Sequence, residues 1–223
     1  MIKLVAFDLD GTVADTLADL AAAVNYALQK RGLKPYPVED YRFFVGNGVD
    51  NLMRNVLKEH TTPEAVETMK ADFSAYYAEH CLDYTVAYPG IAKLLKDLSD
   101  RGIKTAVISN KPNQFVPKIL HKLYHDHEFS PAWGQQPEFP RKPSPESLLK
   151  AIELCGVEKD ETLYVGDSNV DVMFAHNAGV KVCGVSWGFR GAQELRVAGA
   201  DVIVDDAEEI LHLIRNYELG IIL

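Results

Sequence analysis

The chain has 223 residues, of which 47% are hydrophobic and 25% charged, and its formal net charge is −9. This composition is typical of a globular protein with a sizeable core, and no stretch is long and apolar enough to cross a bilayer, which excludes disordered and membrane-spanning classes. The negative charge disfavours a general nucleic-acid-binding protein, because phosphate backbones are bound by basic surfaces.

The first predicted element lies in the run Leu4-Val5-Ala6-Phe7-Asp8-Leu9-Asp10-Gly11-Thr12, which is typical of a buried strand that ends in the carboxylates of Asp8 and Asp10. Side chains two residues apart on a strand lie on the same face, so we expect these two carboxylates to lie together. Gly11 permits a sharp turn after them, and Thr12 can hydrogen-bond back to the loop. Carboxylates at the carboxyl end of a strand lie where an open α/β sheet binds its ligand.

The next segment is predicted to be helical throughout. Apolar residues recur at helical spacing from Leu17 to Leu28, and similar patterns follow at about 49–58 and 63–81 without a convincing strand between them. We therefore predict a helical cap inserted after the first strand. The predicted domains are a core formed by residues 1–14 and 84–223 and a cap formed by residues 15–83.

From Tyr88 onward, the sequence alternates between strand and helix patterns. The predicted strands lie at 103–109, 162–165, 180–185 and 202–204. One predicted helix ends at 99, and the others lie at 113–123, 145–154, 170–177 and 207–214. Such alternation implies right-handed crossovers and a parallel sheet covered on both faces. The predicted fold class is α/β, with a doubly wound, Rossmann-like parallel-sheet core and a small inserted all-helical cap.

The N-terminal residues and the cysteines predict a cytoplasmic protein. A secretion signal has a basic region, then an apolar region and then a cleavage site of small residues, and no such pattern precedes the first strand. Cys81, Cys155 and Cys183 show no CxxC spacing, so we expect three buried thiols in a reducing compartment.

Later polar segments are predicted to meet the acidic pair at the same sheet edge. Ser109 and Asn110 follow a strand, at a predicted helix start where anions bind well. Lys142 precedes another helix, and Asp167 and Asp171 lie on a strand-to-helix turn. Converging carboxylates stay ionised only beside cations, so the site needs the lysine and a divalent ion. Oxygen ligands favour Mg²⁺ over Zn²⁺.

Taken in order, four motifs resemble those of the haloacid dehalogenase superfamily of phosphatases: Asp8-Leu9-Asp10-Gly11-Thr12, Ser109-Asn110, Lys142-Pro143, and Gly166-Asp167 through Asp171. The resemblance spans nearly the whole chain, and the helical insertion matches the position of the small cap in that superfamily. Within the superfamily, bacterial phosphoglycolate phosphatases resemble this chain at Phe44-Val45-Gly46-Asn47-Gly48, Tyr88-Pro89-Gly90, Ser109-Asn110-Lys111-Pro112 and Trp187-Gly188. Where those enzymes usually carry a Gly-Gly-Asp-like turn, this chain has Trp133-Gly134-Gln135-Gln136-Pro137-Glu138.

The resemblance implies a Mg²⁺-dependent phosphatase that hydrolyses a small phosphomonoester, foremost 2-phosphoglycolate, through an aspartyl-phosphate. Asp8 is the implied nucleophile, and Asp10 is the implied general acid and then general base. The implied phosphate-binding residues are Thr12, Ser109, Lys142 and Asn110, the last through its backbone. The implied metal ligands are Asp8, the backbone carbonyl of Asp10 and Asp167, with Asp171 bound to a water or to Lys142.

Other residues remain candidates for contacts with the substrate or the cap, namely Gly46, Asn47, Gly48, Lys111 and Arg190. His121, His125 and His127 are expected to face different directions, because they straddle a helix end, and are not predicted to bind metal. The expected partner is a small phosphorylated metabolite, with no nucleic acid and no membrane. Two alternatives stay open: a sugar-phosphate mutase of the same superfamily and a non-catalytic regulatory module that accepts phosphate.

Overall fold

The computed structural model describes residues 1–218. Its strands are β1 (Leu4–Phe7), β2 (Ala14–Asp15), β3 (Val86–Ala87), β4 (Lys104–Pro112), β5 (Ala132–Gln135), β6 (Thr162–Gly166), β7 (Lys181–Val185) and β8 (Val202–Val204). Six of them form a parallel sheet in the order β5-β4-β1-β6-β7-β8. The first strand therefore lies at the centre, between β4 and β6.

The α-helices are α1 (Leu17–Gln29), α2 (Tyr41–Phe44), α3 (Gly48–Leu57), α4 (Pro63–His80), α5 (Ile91–Asp100), α6 (Val116–Tyr124), α7 (Glu146–Cys155), α8 (Asn169–Ala178), α9 (Gly191–Ala198) and α10 (Ala207–Glu218). None of the helices within residues 1–218 has the length and apolar character that a membrane span requires.

Side chains along β1 alternate between two buried clusters, as the twofold period of a strand dictates. Val5 and Phe7 belong to one cluster, together with side chains from α5, α6 and α10. Leu4 and Ala6 belong to the other, together with side chains from α7, α8 and α9. Helices thus cover both faces of the parallel sheet, which confirms the predicted doubly wound α/β core.

The segment between β2 and β3 contains α1 to α4 and two short 3-10 helices, and within the described chain it contains no strand. Its buried side chains, such as Met53 and Phe73, join the same cluster as Phe7. The helical content is as predicted. The division into a core and a separate cap remains a prediction.

One buried carboxylate ties together the two places where the chain enters and leaves this helical segment. β2 and β3 pair antiparallel at this point. Just beyond them, the amide of Thr85 donates to Asp19 Oδ2 at 2.8 Å, and its hydroxyl donates to the same oxygen at 2.7 Å. The amide of Tyr84 donates to Asp19 Oδ1 at 3.0 Å.

The structure corrects several predicted bounds. The strand predicted to end at 109 continues to Pro112, and α6 begins only at Val116 after a 3-10 turn, so Ser109 and Asn110 lie within a strand and not at a helix start. β5, the β2–β3 pair, α2 and α9 were not predicted. β5 contains no β-branched residue, and its extended conformation comes from pairing with β4 at Val107 and Ile108. The three cysteines are buried and free, as predicted.

Candidate active site

The ends of β1, β4 and β6 form the floor of the site. Phe7 pairs with Val107 on one side and with Val165 on the other. The amide of Asp8 then donates to the carbonyl of Val165 at 2.9 Å, which continues the ladder by one more residue. Asp8 is therefore fixed at the carboxyl edge of the sheet, where parallel-sheet proteins bind their ligands.

Lys142 is a buried cation between two of the aspartates. Its Nζ lies 2.9 Å from Asp8 Oδ1 and 2.8 Å from Asp171 Oδ1, and it donates to the hydroxyl of Tyr164 at 3.0 Å. Burial alone would lower the pKa of Lys142, but the charges of Asp171 and Asp8 raise it well above its ordinary value. The side chain therefore stays a charged ammonium.

The side chain of Asn110 holds the backbone of Lys142 in place. Its Oδ1 accepts from the amide of Lys142 at 2.9 Å, and its Nδ2 donates to the carbonyl of the same residue at 3.2 Å. Nδ2 also donates to the carbonyl of Gly46 at 3.2 Å, which links this strand to the helical segment. Only the backbone of Asn110 had been implied in phosphate binding, so the side chain adds a contact that the sequence did not predict.

Three buried carboxylates, those of Asp8, Asp167 and Asp171, each place one oxygen within 4.8 Å of the others. Burial raises the pKa of Asp8 to about 6, with repulsion from Asp171 and Asp10 adding to the effect and Lys142 opposing it. Burial likewise raises the pKa of Asp167 well above its ordinary value, and the charges of Asp171 and Asp8 raise it further. One lysine does not neutralise this cluster.

The donor set fits a hard divalent cation. Asp8 Oδ1 is buried and lies 2.9 Å from the ammonium of Lys142, but within residues 1–218 it accepts no hydrogen bond. This one ammonium lies against a cluster of three carboxylates, so a further positive charge would stabilise them in the ionised form. The neighbouring ligand atoms are all oxygens, which suits Mg²⁺ better than Zn²⁺.

Two glycines make the space that the Asp167 carboxyl occupies. A β-carbon at Gly188 would lie 2.2 Å from Asp167 Cβ, and one at Gly11 would lie 2.3 Å from Asp167 Oδ2. Gly11 also has a φ of +86°, which side-chain-bearing residues rarely adopt. The amide of Phe189 donates to Asp167 Oδ2 at 2.7 Å and fixes the carboxyl in this space.

Both oxygens of Asp171 are already engaged by donors. Oδ1 accepts from Lys142 at 2.8 Å and from the hydroxyl of Tyr164 at 3.2 Å. Oδ2 accepts from the amide of Ser168 at 3.1 Å and from its hydroxyl at 2.6 Å, as part of the cap of α8. This carboxylate is arranged to orient the lysine.

β1 ends at Phe7, so Asp10 lies beyond the strand, and the prediction that Asp8 and Asp10 share a strand face is wrong. Asp10 has two partners of its own. Thr16 Oγ1 donates to its Oδ1 at 2.6 Å. Lys111 Nζ lies 2.9 Å from Oδ1 and 3.2 Å from Oδ2. Lys111 had been predicted as a contact for the substrate or the cap, and the structure shows that it contacts this aspartate.

A cavity of about 50 Å³ opens above these groups. Predicted site residues that line it are Asp8, Asp10, Gly46, Gly48, Ser109, Asn110, Lys111, Asp167 and Arg190. The opposite wall is apolar and includes Leu20, Val45, Val49, Leu52, Phe73, Tyr77 and Phe189. Arg190 Nη2 donates to the carbonyl of Val45 at 2.8 Å, so part of its guanidinium is already occupied.

Four candidates are absent from the cavity lining formed by the described residues, namely Thr12, Asn47, Lys142 and Asp171. Lys142 and Asp171 are buried in the ion pair described above. Thr12 is fully buried, its carbonyl accepts from the indole of Trp187 at 3.1 Å, and its hydroxyl has no partner within residues 1–218. Asn47 is exposed, and its carbonyl accepts from Asn51. Among the histidines, His127 Nε2 lies 2.7 Å from the hydroxyl of Thr105.

Sequence reasoning missed Thr16, Tyr77, Tyr164 and the packing role of Gly188. The position of Tyr164 could have been predicted from the sequence, because side chains alternate along a strand. Tyr164 therefore lies on the opposite face from Leu163 and Val165, in the buried cluster that contains Leu4. Thr16 and Tyr77 carried no signal in the sequence, because their contacts depend on how distant elements pack.

Residues 5–185 match the family of haloacid dehalogenase-like hydrolases. The chain belongs to this family. It is 35% identical over 215 residues to a phosphoglycolate phosphatase of Pseudomonas fluorescens (strain Pf0-1), with 94% of this chain and 78% of that protein covered. A phosphoglycolate phosphatase of Mannheimia succiniciproducens is 34% identical over 219 residues, with 95% and 98% covered. A crystal structure described as a predicted phosphoglycolate phosphatase from Haemophilus somnus superposes with a TM-score of 0.88 at 32% identity, covering 96% of this chain and 98% of the other.

Proposed function

We propose that this protein is a Mg²⁺-dependent phosphatase that hydrolyses a small phosphomonoester, preferentially 2-phosphoglycolate, through an aspartyl-phosphate on Asp8. Its curated relatives are phosphoglycolate phosphatases, which supports the reaction class. The observation that carries the proposal is the position of Asp8, which lines the cavity with its Oδ1 2.9 Å from the buried ammonium of Lys142. A carboxylate nucleophile thus lines the cavity, and a fixed cation lies 2.9 Å from it.

Asp8 attacks phosphorus in line with the leaving oxygen, and the displacement is thereby divided into two easier steps. Lys142 offsets the negative charge that develops on the phosphoryl oxygens, and Ser109, which lines the cavity, offers a hydroxyl to them. The side chain of Asn110, on β4, accepts a hydrogen bond from the amide of Lys142 and so holds the backbone of that lysine beside the strand. Preorganised charge of this kind supplies most of the acceleration that phosphoryl transfer requires.

Asp10 protonates the leaving oxygen as its bond to phosphorus breaks. The same carboxylate then removes a proton from the water that hydrolyses the aspartyl-phosphate. The hydrogen bond from Thr16 orients this carboxyl toward the cavity that Asp10 lines. One group thus serves both halves of the reaction.

The residues that would hold Mg²⁺ are Asp8, Asp167 and the backbone carbonyl of Asp10. When bound, the ion offsets negative charge on the phosphoryl group and keeps the buried carboxylates ionised. Asp171 acts on Lys142, because both of its oxygens already accept from other donors. Gly11 and Gly188 leave the space in which the Asp167 carboxyl can face the ion.

The helical segment, residues 15–83, acts as a cap that encloses the substrate and excludes bulk water. The cavity is small, and the side chains from this segment that line it are mainly apolar, which favours a short, soluble ester over a large one. A small phosphorylated metabolite of the cytoplasm is the proposed partner.

The direct test measures inorganic phosphate released by the full chain from 2-phosphoglycolate and from a panel of phosphorylated metabolites, with and without Mg²⁺. Asp8→Asn preserves the size of the side chain and serves as the matched control. We expect Mg²⁺-dependent release that Asp8→Asn abolishes, with 2-phosphoglycolate giving the highest kcat/KM. Appearance of an isomerised ester instead of phosphate identifies a mutase, and no release above the control identifies a phospho-accepting module.

A further inference from the structure

Lys111 is a buried cation that the steps above do not use. Only 2% of its side chain is exposed, and its Nζ approaches both carboxylate oxygens of Asp10, at 2.9 and 3.2 Å. A lysine is almost never fully buried unless it is paired, so this ion pair is a specific feature of the site. It also lies next to the carboxyl that exchanges protons with the substrate.

An aromatic ring from α4 covers the other side of the ammonium. Lys111 Nζ lies 4.8 Å from the centre of the Tyr77 ring, within the range of a cation–π contact. Tyr77 is 1% exposed, stacks on Phe73 at 5.2 Å and meets Phe115 edge-on at 4.9 Å. The ring therefore cannot move aside without disturbing its neighbours, and the ammonium is held between it and Asp10.

We propose that Lys111 is a positioning residue that holds the Asp10 carboxyl at the leaving oxygen of the substrate, and that Tyr77 in turn holds Lys111. This inference rests on the proposed function and adds to it a specific role for two residues. Thr16 donates to one oxygen of Asp10, whereas Lys111 contacts both. Without Lys111, the carboxyl keeps a single anchor and can turn away from the leaving oxygen.

In this role Lys111 transfers no proton. Asp10 gives its proton to the leaving oxygen as the bond between that oxygen and phosphorus breaks, and the electron pair of the bond stays on the oxygen. Lys111 keeps its three ammonium protons throughout. Its contribution is geometric, and misplacement of a reacting group by about 1 Å can cost on the order of 100-fold in rate.

The test compares three esters that separate the possible roles of Lys111. 2-Phosphoglycolate has an alkyl leaving group with a carboxylate, ethyl phosphate has an alkyl leaving group without charge, and p-nitrophenyl phosphate has a leaving group that needs no proton. The quantity is kcat/KM, because it reports formation of the aspartyl-phosphate and not its later hydrolysis. For Lys111→Met we expect about a 100-fold loss on both alkyl esters and less than about a 5-fold loss on the aryl ester.

Other outcomes overturn the inference. Equal losses on all three esters indicate a merely structural role. A loss confined to 2-phosphoglycolate indicates that Lys111 binds the substrate carboxylate. If the wild-type protein releases phosphate from none of the esters, the proposed function itself fails, which distinguishes the two failures.

Further variants keep the test independent of folding. Lys111→Arg retains the charge and should restore the alkyl-to-aryl ratio to within about 5-fold of the wild-type ratio, whether or not Lys111→Met folds. Tyr77→Leu removes the ring face and should lower that ratio about 10-fold. Lys118→Met is the matched control, because Lys118 is an exposed lysine whose Nζ donates to the carbonyl of Ala78 near the same helix. An unchanged ratio in Tyr77→Leu contradicts the role of the ring.

Discussion

Lys142 and Asp171 form a buried ion pair, in which Nζ of the lysine lies 2.8 Å from Oδ1 of the aspartate. The two side chains are 3% and 1% exposed. Because Asp171 also caps α8, the position of the ammonium beside Asp8 is set by a helix that starts at the end of a neighbouring strand. The cation of the site is therefore oriented by the fold itself.

Asp171→Asn should remove the charge partner of Lys142 while keeping the size of the side chain. We expect the free energy of unfolding to fall by about 3 kcal/mol, because the buried ammonium loses one of its two carboxylates. Phosphate release should fall about 100-fold. Urea denaturation and a phosphate assay measure the two effects.

The control for this substitution is Asp97→Asn, which breaks the exposed pair of Asp97 with Lys93. Exposed pairs within a helix contribute little, so no measurable change in either quantity is expected. Equal stability of Asp171→Asn and the wild-type protein would contradict a structural role for the buried pair.

The pKa of Asp8 predicts a pH dependence of stability in the metal-free protein. Its pKa is raised from 3.8 to about 6, first by burial and then by neighbouring carboxylates. At pH 5 the folded protein therefore keeps a proton that the unfolded chain has released, and stability from this group falls as the pH rises from about 4 to 6. The loss corresponds to roughly 2–3 kcal/mol.

Asp8→Asn removes this titration. Urea denaturation in EDTA should show the variant gaining stability relative to the wild-type protein by roughly 2–3 kcal/mol between pH 4 and pH 7. Addition of Mg²⁺ at pH 7 should stabilise the wild-type protein and have less effect on the variant. A difference in unfolding free energy that does not vary with pH would rule out the raised pKa.

Gly11 and Gly199 provide a matched pair of backbone positions, with φ values of +86° and +85°. An alanine strains both backbones to a similar extent, by about 1–2 kcal/mol. Only Gly11→Ala also drives a β-carbon to 2.3 Å from Asp167 Oδ2, whereas Gly199 has nothing within 4 Å. We expect Gly11→Ala to abolish phosphate release and the stabilisation by Mg²⁺, and Gly199→Ala to retain both. Thermal melts with increasing Mg²⁺ measure the second property.

Val49 lies on the apolar wall of the cavity and is only partly buried. Val49→Ala should admit a larger leaving group, and we expect the kcat/KM for glycerol 3-phosphate to rise about 10-fold relative to that for 2-phosphoglycolate. Val38→Ala is the control, because Val38 is 43% exposed and does not line the cavity. An unchanged ratio between the two esters would exclude this wall from substrate selection.

The parts of the fold that the sequence predicted are those with strong local signals. β1 is a run of apolar residues that precedes Asp8 and Asp10, so its burial was predicted correctly from the sequence. β5 was missed because a short segment with Trp133 and Gly134 becomes a strand only through pairing with β4. Its geometry is a property of the assembled sheet.

The same distinction applies within the site. Asp8, Lys142 and Asp167 were predicted to meet because each follows a strand or precedes a helix of one parallel sheet. The contact of Lys111 with Asp10 was not predicted, because it depends on where β4 ends. That strand was expected to stop at 109, but it continues through Lys111 and carries its side chain into the cavity.

The close packing around Asp167 also determines which positions of the active site can accept substitutions. A β-carbon at Gly11 or Gly188 would lie 2.3 or 2.2 Å from atoms of Asp167, so we expect substitutions at these two positions to abolish activity. The wall formed by Leu20, Val49 and Leu52 accepts exchanges among apolar side chains at modest cost. Laboratory evolution toward other esters should therefore accumulate substitutions on that wall and leave both glycines untouched.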